Sequence, residues 1–200
     1  MEECFIGIVP SKGEYLKVRN LMRKYSNFLI SKKALAFPPH LTLVSRFKTE
    51  RYEELIRNLK EYCISFDPLK IQLDKIGYFT EPPVIFLHPV MTQSLNTLHE
   101  KILDFVQEFK IPWTKDSLLN AQNLDPMQKK YLESYGNPYV REFYNPHLTL
   151  AGSDVDREKF LKLINDLNLK NVIEFELKHI SVIRKINDLW KVDKRIKLNA

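Results

Sequence analysis

The sequence predicts a bilobal, pseudo-symmetric α+β fold built from a duplicated unit, in which two antiparallel sheets form a central cleft and the helices lie outside. The first observation is a repeated pentapeptide: Pro-His-Leu-Thr-Leu occurs at residues 39–43 and again at 146–150. The second is the order of predicted elements from each copy onward, which is a strand, a helix and a pair of strands. This repeated order indicates two related lobes, each of which contributes one motif strand to a shared cleft.

The first half of the chain alternates between strand and helix patterns. An apolar run at 4–9 predicts a buried strand that Pro10 closes, and apolar residues recur at helical spacing over 13–30. The first motif strand follows Pro39. The other predicted elements of this half are a helix at 52–63, strands at 71–77 and 84–90, and a helix at 95–109.

Residues 110–144 interrupt the repeat, and we predict that they form an insertion. Asp125 and Pro126 are typical of a helix start and Gly136 of a helix end, so a short helix is expected over about 126–135. After the second motif, the predicted elements are a helix at 154–167 that begins with a capping box of Ser153 and Asp156, and strands at 174–183 and 189–198. We therefore expect one bilobal domain over residues 1–200.

Composition and charge define the class of protein. With 200 residues, 44% of them hydrophobic and 28% charged, the chain is typical of a soluble globular protein. The net charge of +6 favours anionic partners such as nucleic acid or nucleotides. Cys4 and Cys63 belong to no Cys-x-x-Cys pair, which predicts reduced thiols. No signal pattern and no apolar run of membrane-spanning length occurs, so we expect a cytoplasmic monomer.

Each motif carries two polar side chains on one face of its strand. Successive side chains of a strand point to opposite faces, so His40 shares a face with Thr42, and His147 shares one with Thr149. Two imidazoles that face one cleft provide two groups able to transfer protons near neutral pH. The motifs therefore predict a catalytic site.

Alternation along the first motif strand continues beyond the threonine. It places Val44 and Arg46 on the face of His40, which predicts that Arg46 binds a substrate phosphate. The residue equivalent to Arg46 in the second copy is Ser153, so the two lobes differ in charge. Three further histidines lie outside any motif and are expected to be structural or surface groups: His88, His99 and His179.

Two copies of His-apolar-Thr-apolar, each on a strand of a duplicated α+β lobe, resemble the 2H phosphoesterase superfamily, which includes 2′-5′ RNA ligase-like proteins and nucleotide cyclic phosphodiesterases. Residues 73–79 and 84–87 also resemble the family's segment between its motifs. The resemblance spans nearly the whole chain. It implies phosphodiester chemistry without a metal or other cofactor, on RNA, an oligonucleotide or a cyclic nucleotide.

The resemblance also implies roles for the motif residues. For a 2′,3′-cyclic phosphate, one of His40 and His147 takes a proton from water while the other protonates the departing ribose oxygen, in an order that the sequence leaves open. Thr42 and Thr149 hydrogen-bond phosphate oxygens. Family sites also commonly stack bases on aromatic side chains, and the candidates here are Phe79, Tyr139 and Tyr144, although packing of the insertion is the alternative for the two tyrosines.

Three alternatives remain at the level of the sequence. A metal site is disfavoured because no aspartate or glutamate adjoins either motif histidine and no His-Glu-x-x-His occurs. A non-catalytic RNA- or nucleotide-binding module would keep the cleft but release no product. A 2′-5′ RNA ligase would use the same residues in the reverse reaction.

Overall fold

The computed structural model describes residues 1–112, 124–168 and 172–199. Its strands are β1 (Glu2–Ile8), β2 (Leu41–Thr49), β3 (Leu69–Thr80), β4 (Pro83–Pro89), β5 (Leu148–Ala151), β6 (Ile173–Leu177), β7 (His179–Ile186) and β8 (Leu189–Lys197). Its α-helices are α1 (Lys12–Phe28), α2 (Tyr52–Cys63), α3 (Gln93–Phe105), α4 (Pro126–Tyr135) and α5 (Arg157–Leu163). Short 3₁₀ helices lie at Lys33–Ala36, Val106–Phe109, Arg141–Phe143 and Ile164–Asp166.

The strands form two four-stranded antiparallel sheets, which confirms the predicted fold class. One sheet has the order β2-β1-β7-β8 and the other the order β5-β4-β3-β6. Each motif strand, β2 or β5, is therefore an edge strand, and its inner neighbour is the strand that precedes it in the chain, β1 or β4. The two sheets are related by this arrangement, which is the pseudo-symmetry expected from the repeat.

The strand pairs that follow the motifs are exchanged between the sheets. The β3–β4 hairpin follows the first motif along the chain but lies beside the second motif strand, and the β7–β8 hairpin lies in the sheet of the first motif strand. The predicted strand at 174–183 is wrong as a single element because the chain leaves one sheet at Leu177 and enters the other at His179. Periodicity identifies the strands, but it carries no information about their long-range partners.

Helices cover both sheets and bury a common core. Helix α1 packs against β5 and β6, whereas α3 packs against β2 and α2 against β8. On α2, Leu55, Leu59 and Cys63 are spaced to face one side and are fully buried. Buried residues of both sheets belong to a single apolar cluster, so the lobes share one core.

The short helix within the predicted insertion is confirmed. Asp125 accepts a hydrogen bond from the Gln128 amide, Pro126 is the first helical residue, and Gly136 ends the helix in the left-handed conformation (φ 69°) that glycine favours. Residues 113–123 of the insertion lie outside the described residues. The predicted capping box of the next helix is wrong in one member, since Asp156 alone accepts the capping bond from the Lys159 amide.

Both cysteines lie in the core. Cys4 and Cys63 are fully buried, and burial raises the pKa of each thiol to about 12. Within the described part of the chain, none of the helices has the length and apolar character needed to span a membrane.

Candidate active site

The two motif histidines are held in the same way. His40 and His147 each stand immediately before an edge strand, and each Nδ1 donates to a carbonyl two residues earlier, at 2.8 Å from Pro38 O and 3.0 Å from Asn145 O. Donation from Nδ1 selects one tautomer of the neutral ring and leaves Nε2 as an acceptor. Each lobe therefore provides an imidazole with a free basic nitrogen.

A cavity of about 400 Å³ brings the two motifs together. His40, Thr42, His147 and Thr149 all line it, as the alternation of the motif strands predicts. No carboxylate occurs among the described residues that line the cavity. The remaining lining residues include two cations, two hydroxyls and several apolar groups, namely Lys33, Arg46, Ser45, Ser153, Phe5, Met22, Ala34, Phe37, Pro38, Pro82, Val84 and Gly152.

Arg46 lines the cavity, but Val44 does not. Thr42 pairs with Gly7 and Val44 with Ile6, so one residue of β2 is unpaired between them and the register shifts. This bulge turns Val44 into the core, where it is only 1% exposed, and brings Ser45 to the cavity. The placement of Val44 on the face of His40 was therefore wrong because strict alternation fails at a bulge.

Aromatic rings surround His40. The Phe5 ring lies 4.7 Å and the Phe37 ring 6.1 Å from the imidazole, measured between ring centroids. Burial lowers the pKa of His40 to about 4; the bond to Pro38 opposes this effect, and the charge of protonated His147 adds to it. His40 is therefore neutral throughout the neutral pH range when the cavity holds no substrate.

His147 occupies the equivalent aromatic pocket of the other lobe. The rings of Phe79 and Phe86 lie 5.1 Å and 5.0 Å from its imidazole. Burial is the main cause that lowers the pKa of His147, and repulsion by His88 lowers it further. Phe79, a predicted base-stacking residue, thus contacts a motif histidine edge-on.

Tyr144 connects the two lobes. Its hydroxyl donates to the Thr42 carbonyl at 2.9 Å, and its ring stacks on the buried His99 ring at 3.6 Å. One face of Tyr144 is therefore occupied by protein. Tyr144 and Tyr139 line a smaller cavity of about 180 Å³, which shares Thr42, Ser45 and His147 with the main cavity.

His99 is a structural residue, as expected. Its Nδ1 donates to Leu43 O at 2.7 Å, and its Nε2 accepts from the Arg141 amide at 3.2 Å. Burial lowers its pKa to about 4, which matches the neutral ring that these two bonds require. His88 lies close to the site, since its Nε2 is 3.1 Å from Oδ1 of Asn145. Asn145 lies just before the second motif, and its carbonyl accepts the hydrogen bond from His147.

Lys33 is a cavity residue that no local sequence pattern predicts. Asp154 accepts hydrogen bonds from Ser31 Oγ at 2.7 Å and from the amides of Lys32 and Lys33 at 2.7 and 3.0 Å, which joins the 3₁₀ helix to the loop after β5. Desolvation acts to raise the pKa of Asp154, but these bonds outweigh it and lower the pKa. No local pattern links residues so distant in sequence.

The described residues contain no group of three His, Cys, Asp or Glu side chains able to share a metal ion.

Comparisons with known proteins agree with this architecture. The family model described as the 2′-5′ RNA ligase superfamily matches residues 16–189. TT0787 of Thermus thermophilus is similar over 100% of this chain and 99% of its own (TM-score 0.60, 16% identity). E. coli LigT complexed with 3′-AMP is similar over 100% and 99% (TM-score 0.55, 14% identity), and a structure described as a phosphoesterase over 100% of both chains (TM-score 0.55, 13% identity). No curated protein matches the sequence. The family model matches most of the length of this chain, which shows that the chain belongs to the 2′-5′ RNA ligase superfamily, whose chemistry is of the phosphoesterase or ligase type.

Proposed function

We propose that this protein is a metal-independent phosphodiesterase that acts on 2′,3′-cyclic phosphates or 2′-5′ phosphodiester linkages of RNA or oligonucleotides. The observation that carries the proposal is the pair of imidazoles, each with Nδ1 bonded to the main chain, that line one cavity with two threonines. The cations and the absence of carboxylates among the described lining residues favour an anionic substrate. Nucleotides bound to LigT, including 3′-AMP and ATP, agree with this class of ligand.

We assign the general base to His40 and the general acid to His147. A base must be neutral before it accepts a proton from water, and burial among aromatic rings keeps His40 neutral. The acid must carry a proton, and the negative charge of a bound phosphate raises the pKa of an adjacent imidazole. His147 then protonates the ribose oxygen as the bond from that oxygen to phosphorus breaks.

The hydroxyls and cations of the cavity would bind the phosphate. Thr42 and Thr149 are positioned beside the histidines and can donate to nonbridging oxygens, which orients the phosphorus for in-line attack. Arg46 and Lys33 supply positive charge that offsets the charge of the phosphate. Tyr144 supports Thr42 through its main chain and need not contact the substrate.

Two alternatives use the same cavity. A non-catalytic nucleotide-binding module would bind without turnover, and a 2′-5′ RNA ligase would run the reverse reaction through the same transition state. Both motifs are intact, which favours turnover over binding alone. The cytoplasmic location and the monomeric state stay predictions.

A panel of substrates tests the proposal. It comprises 2′,3′-cyclic nucleotides, 2′-5′ and 3′-5′ linked dinucleotides and RNA ending in a cyclic phosphate, all assayed with EDTA. We expect turnover of the cyclic or the 2′-5′ class, and loss of that turnover in His40→Ala and His147→Ala. His179→Ala, at a histidine outside the cavity, is the matched control. Full activity in both motif variants, or a strict requirement for added metal, would contradict the proposal.

A further inference from the structure

A second depression adjoins the active site on the side of His40. This basic groove, of about 410 Å³, lies between α1, the end of the 3₁₀ helix at Lys33–Ala36 with the two residues after it, and β8. It contains three aromatic rings, two arginines and a lysine. Its lining comprises Tyr15, Arg19, Leu35, Ala36, Phe37, Pro38, Trp190, Lys191, Val192 and Arg195.

The basic groove is continuous with the active-site cavity. Phe37 and Pro38 line both, and the Phe37 ring stacks on Trp190 at 5.6 Å with an interplanar angle of 18°. The guanidinium of Arg46, a cavity residue, lies 5.9 Å from the Trp190 ring. An aromatic wall therefore leads from the motif histidine of this lobe to β8.

Strand register places Arg195 on the same face of the sheet as the motif threonine. Thr42 pairs with Gly7, Gly7 with Ser181, and Ser181 with Arg195. Paired residues share a face, and three strand spacings separate the ends of this row by about 14 Å. A phosphate bound at Thr42 is too distant to contact Arg195, so an anion at Arg195 must be a different one.

The positive charge of the basic groove is available to a ligand. The carboxylates of Asp193 and Asp188, on and just before β8, are engaged elsewhere: Asp193 accepts from Tyr52 and Arg184 on the other face of the sheet, and Asp188 pairs with Lys185. Arg195 itself is exposed. Arg19 donates to the carbonyls of Leu35 and Phe37 at 2.9 Å, which fixes the wall between the two sites and leaves the guanidinium charge in the groove.

From this continuity, charge and aromatic lining we infer that the basic groove binds the nucleotides that flank the reacting phosphate, so that the substrate is a single-stranded oligonucleotide. Single-stranded nucleic acid is recognised by cations along its backbone and by aromatic rings on which bases stack. Arg195 binds a flanking phosphate, and the rings of Tyr15 and Trp190, which line the groove, contact a base. This inference rests on the proposed function for the identity of the reacting phosphate.

The first test compares two substrates that share one reactive end. We expect kcat/KM to be higher for an oligonucleotide ending in a 2′,3′-cyclic phosphate than for the matching mononucleotide. Arg195→Gln should lower the ratio of the two values about tenfold, the loss typical of one charged hydrogen bond. It should also reduce the salt dependence of the ratio by about 0.7 in log–log slope, as for one phosphate contact on a single strand. Arg57→Gln, at an exposed arginine on α2, removes the same charge away from the groove and should leave the ratio as in the wild type.

The second test needs no turnover. The chain has two tryptophans, so Trp113→Phe leaves Trp190 as the only indole reporter. A 3′-5′ linked DNA oligonucleotide should quench its fluorescence, with about tenfold weaker binding in Arg195→Gln, again the loss of one charged hydrogen bond. A failure of the proposed function would abolish turnover of both substrates and leave this binding intact. Equal kcat/KM for the two substrates, or equal oligonucleotide binding in Arg195→Gln and Arg57→Gln, would overturn the inference.

Discussion

The assignment of base and acid can be tested by replacing each motif histidine with asparagine. The asparagine amide nitrogen replaces Nδ1 and can keep the bond to the main-chain carbonyl, whereas the group facing the cavity is lost. Loss of one general acid or base typically lowers the rate by about 100- to 10,000-fold, which corresponds to about 3–5 kcal/mol. We expect losses of this size in kcat/KM for both His40→Asn and His147→Asn. Because the two residues act as a unit, the double variant should lose less than the product of the single effects.

The dependence of kcat/KM on pH separates the two roles. In the free protein, the base His40 must lose a proton, so activity should rise as the pH passes about 4. The acid His147 must hold a proton, and its pKa is lowered from 6.5. As the pH rises further, activity should therefore fall again, and the midpoint of this fall should lie below pH 6.5. The wild type should therefore show an optimum in the acidic range, on the low side of pH 6.5.

Each variant should remove one limb of this profile. His40→Asn should abolish the acidic limb and His147→Asn the basic limb, measured with EDTA between about pH 3 and pH 8. His179→Asn is the control and should keep both limbs. Loss of the opposite limbs would show that the roles are reversed, and two limbs in both motif variants would refute proton transfer by these histidines.

Three further predictions concern the surroundings of the site. A Cβ at Gly77 would lie 2.6 Å from the Phe86 ring. Gly77→Ala should therefore lower the stability measured by urea unfolding by about 1–3 kcal/mol, and it should also lower kcat. Wild-type stability of this variant would contradict the prediction. Burial lowers the pKa of His99 from 6.5 to about 4, so the unfolded protein binds a proton at this residue more readily than the folded protein does. About 3 kcal/mol of stability should therefore be lost as the pH falls from 6.5 to about 4. His99→Asn should lack that part of the loss. Tyr144→Phe removes the hydrogen bond to Thr42 and should cost about 1 kcal/mol with a fall in kcat, whereas an unchanged kcat would show that this bond does not support the site.

Much of the architecture follows from local patterns in the sequence. The two His-Leu-Thr-Leu strands, the capped helix from Pro126 to Tyr135 and the amphipathic helix from Tyr52 to Cys63 are each determined by residues close together in the chain, and each was predicted. The convergence of the four motif side chains on one cavity also follows, because alternation fixes their face and duplication supplies the second lobe.

The features that sequence missed depend on contacts between distant residues. The bulge that turns Val44 inward is visible only in the pairing of β2 with β1. Lys33 is held at the cavity by a hydrogen bond that its main-chain amide donates to Asp154, across a sequence separation of 121 positions. The exchange of hairpins between the sheets has no counterpart in periodicity, since a strand has the same pattern whichever partner it pairs with.

The exchange of hairpins has a consequence for how the molecule can be divided. A cut in the turn between β3 and β4 would separate the two motifs, but the first fragment would carry β3, an inner strand of the other fragment's sheet. The second fragment would likewise carry β7 and β8, which complete the sheet of the first. Neither fragment holds a whole sheet, so each half-site can form only when the two pieces reassociate. Fragment complementation should therefore restore both histidines together, and never one alone.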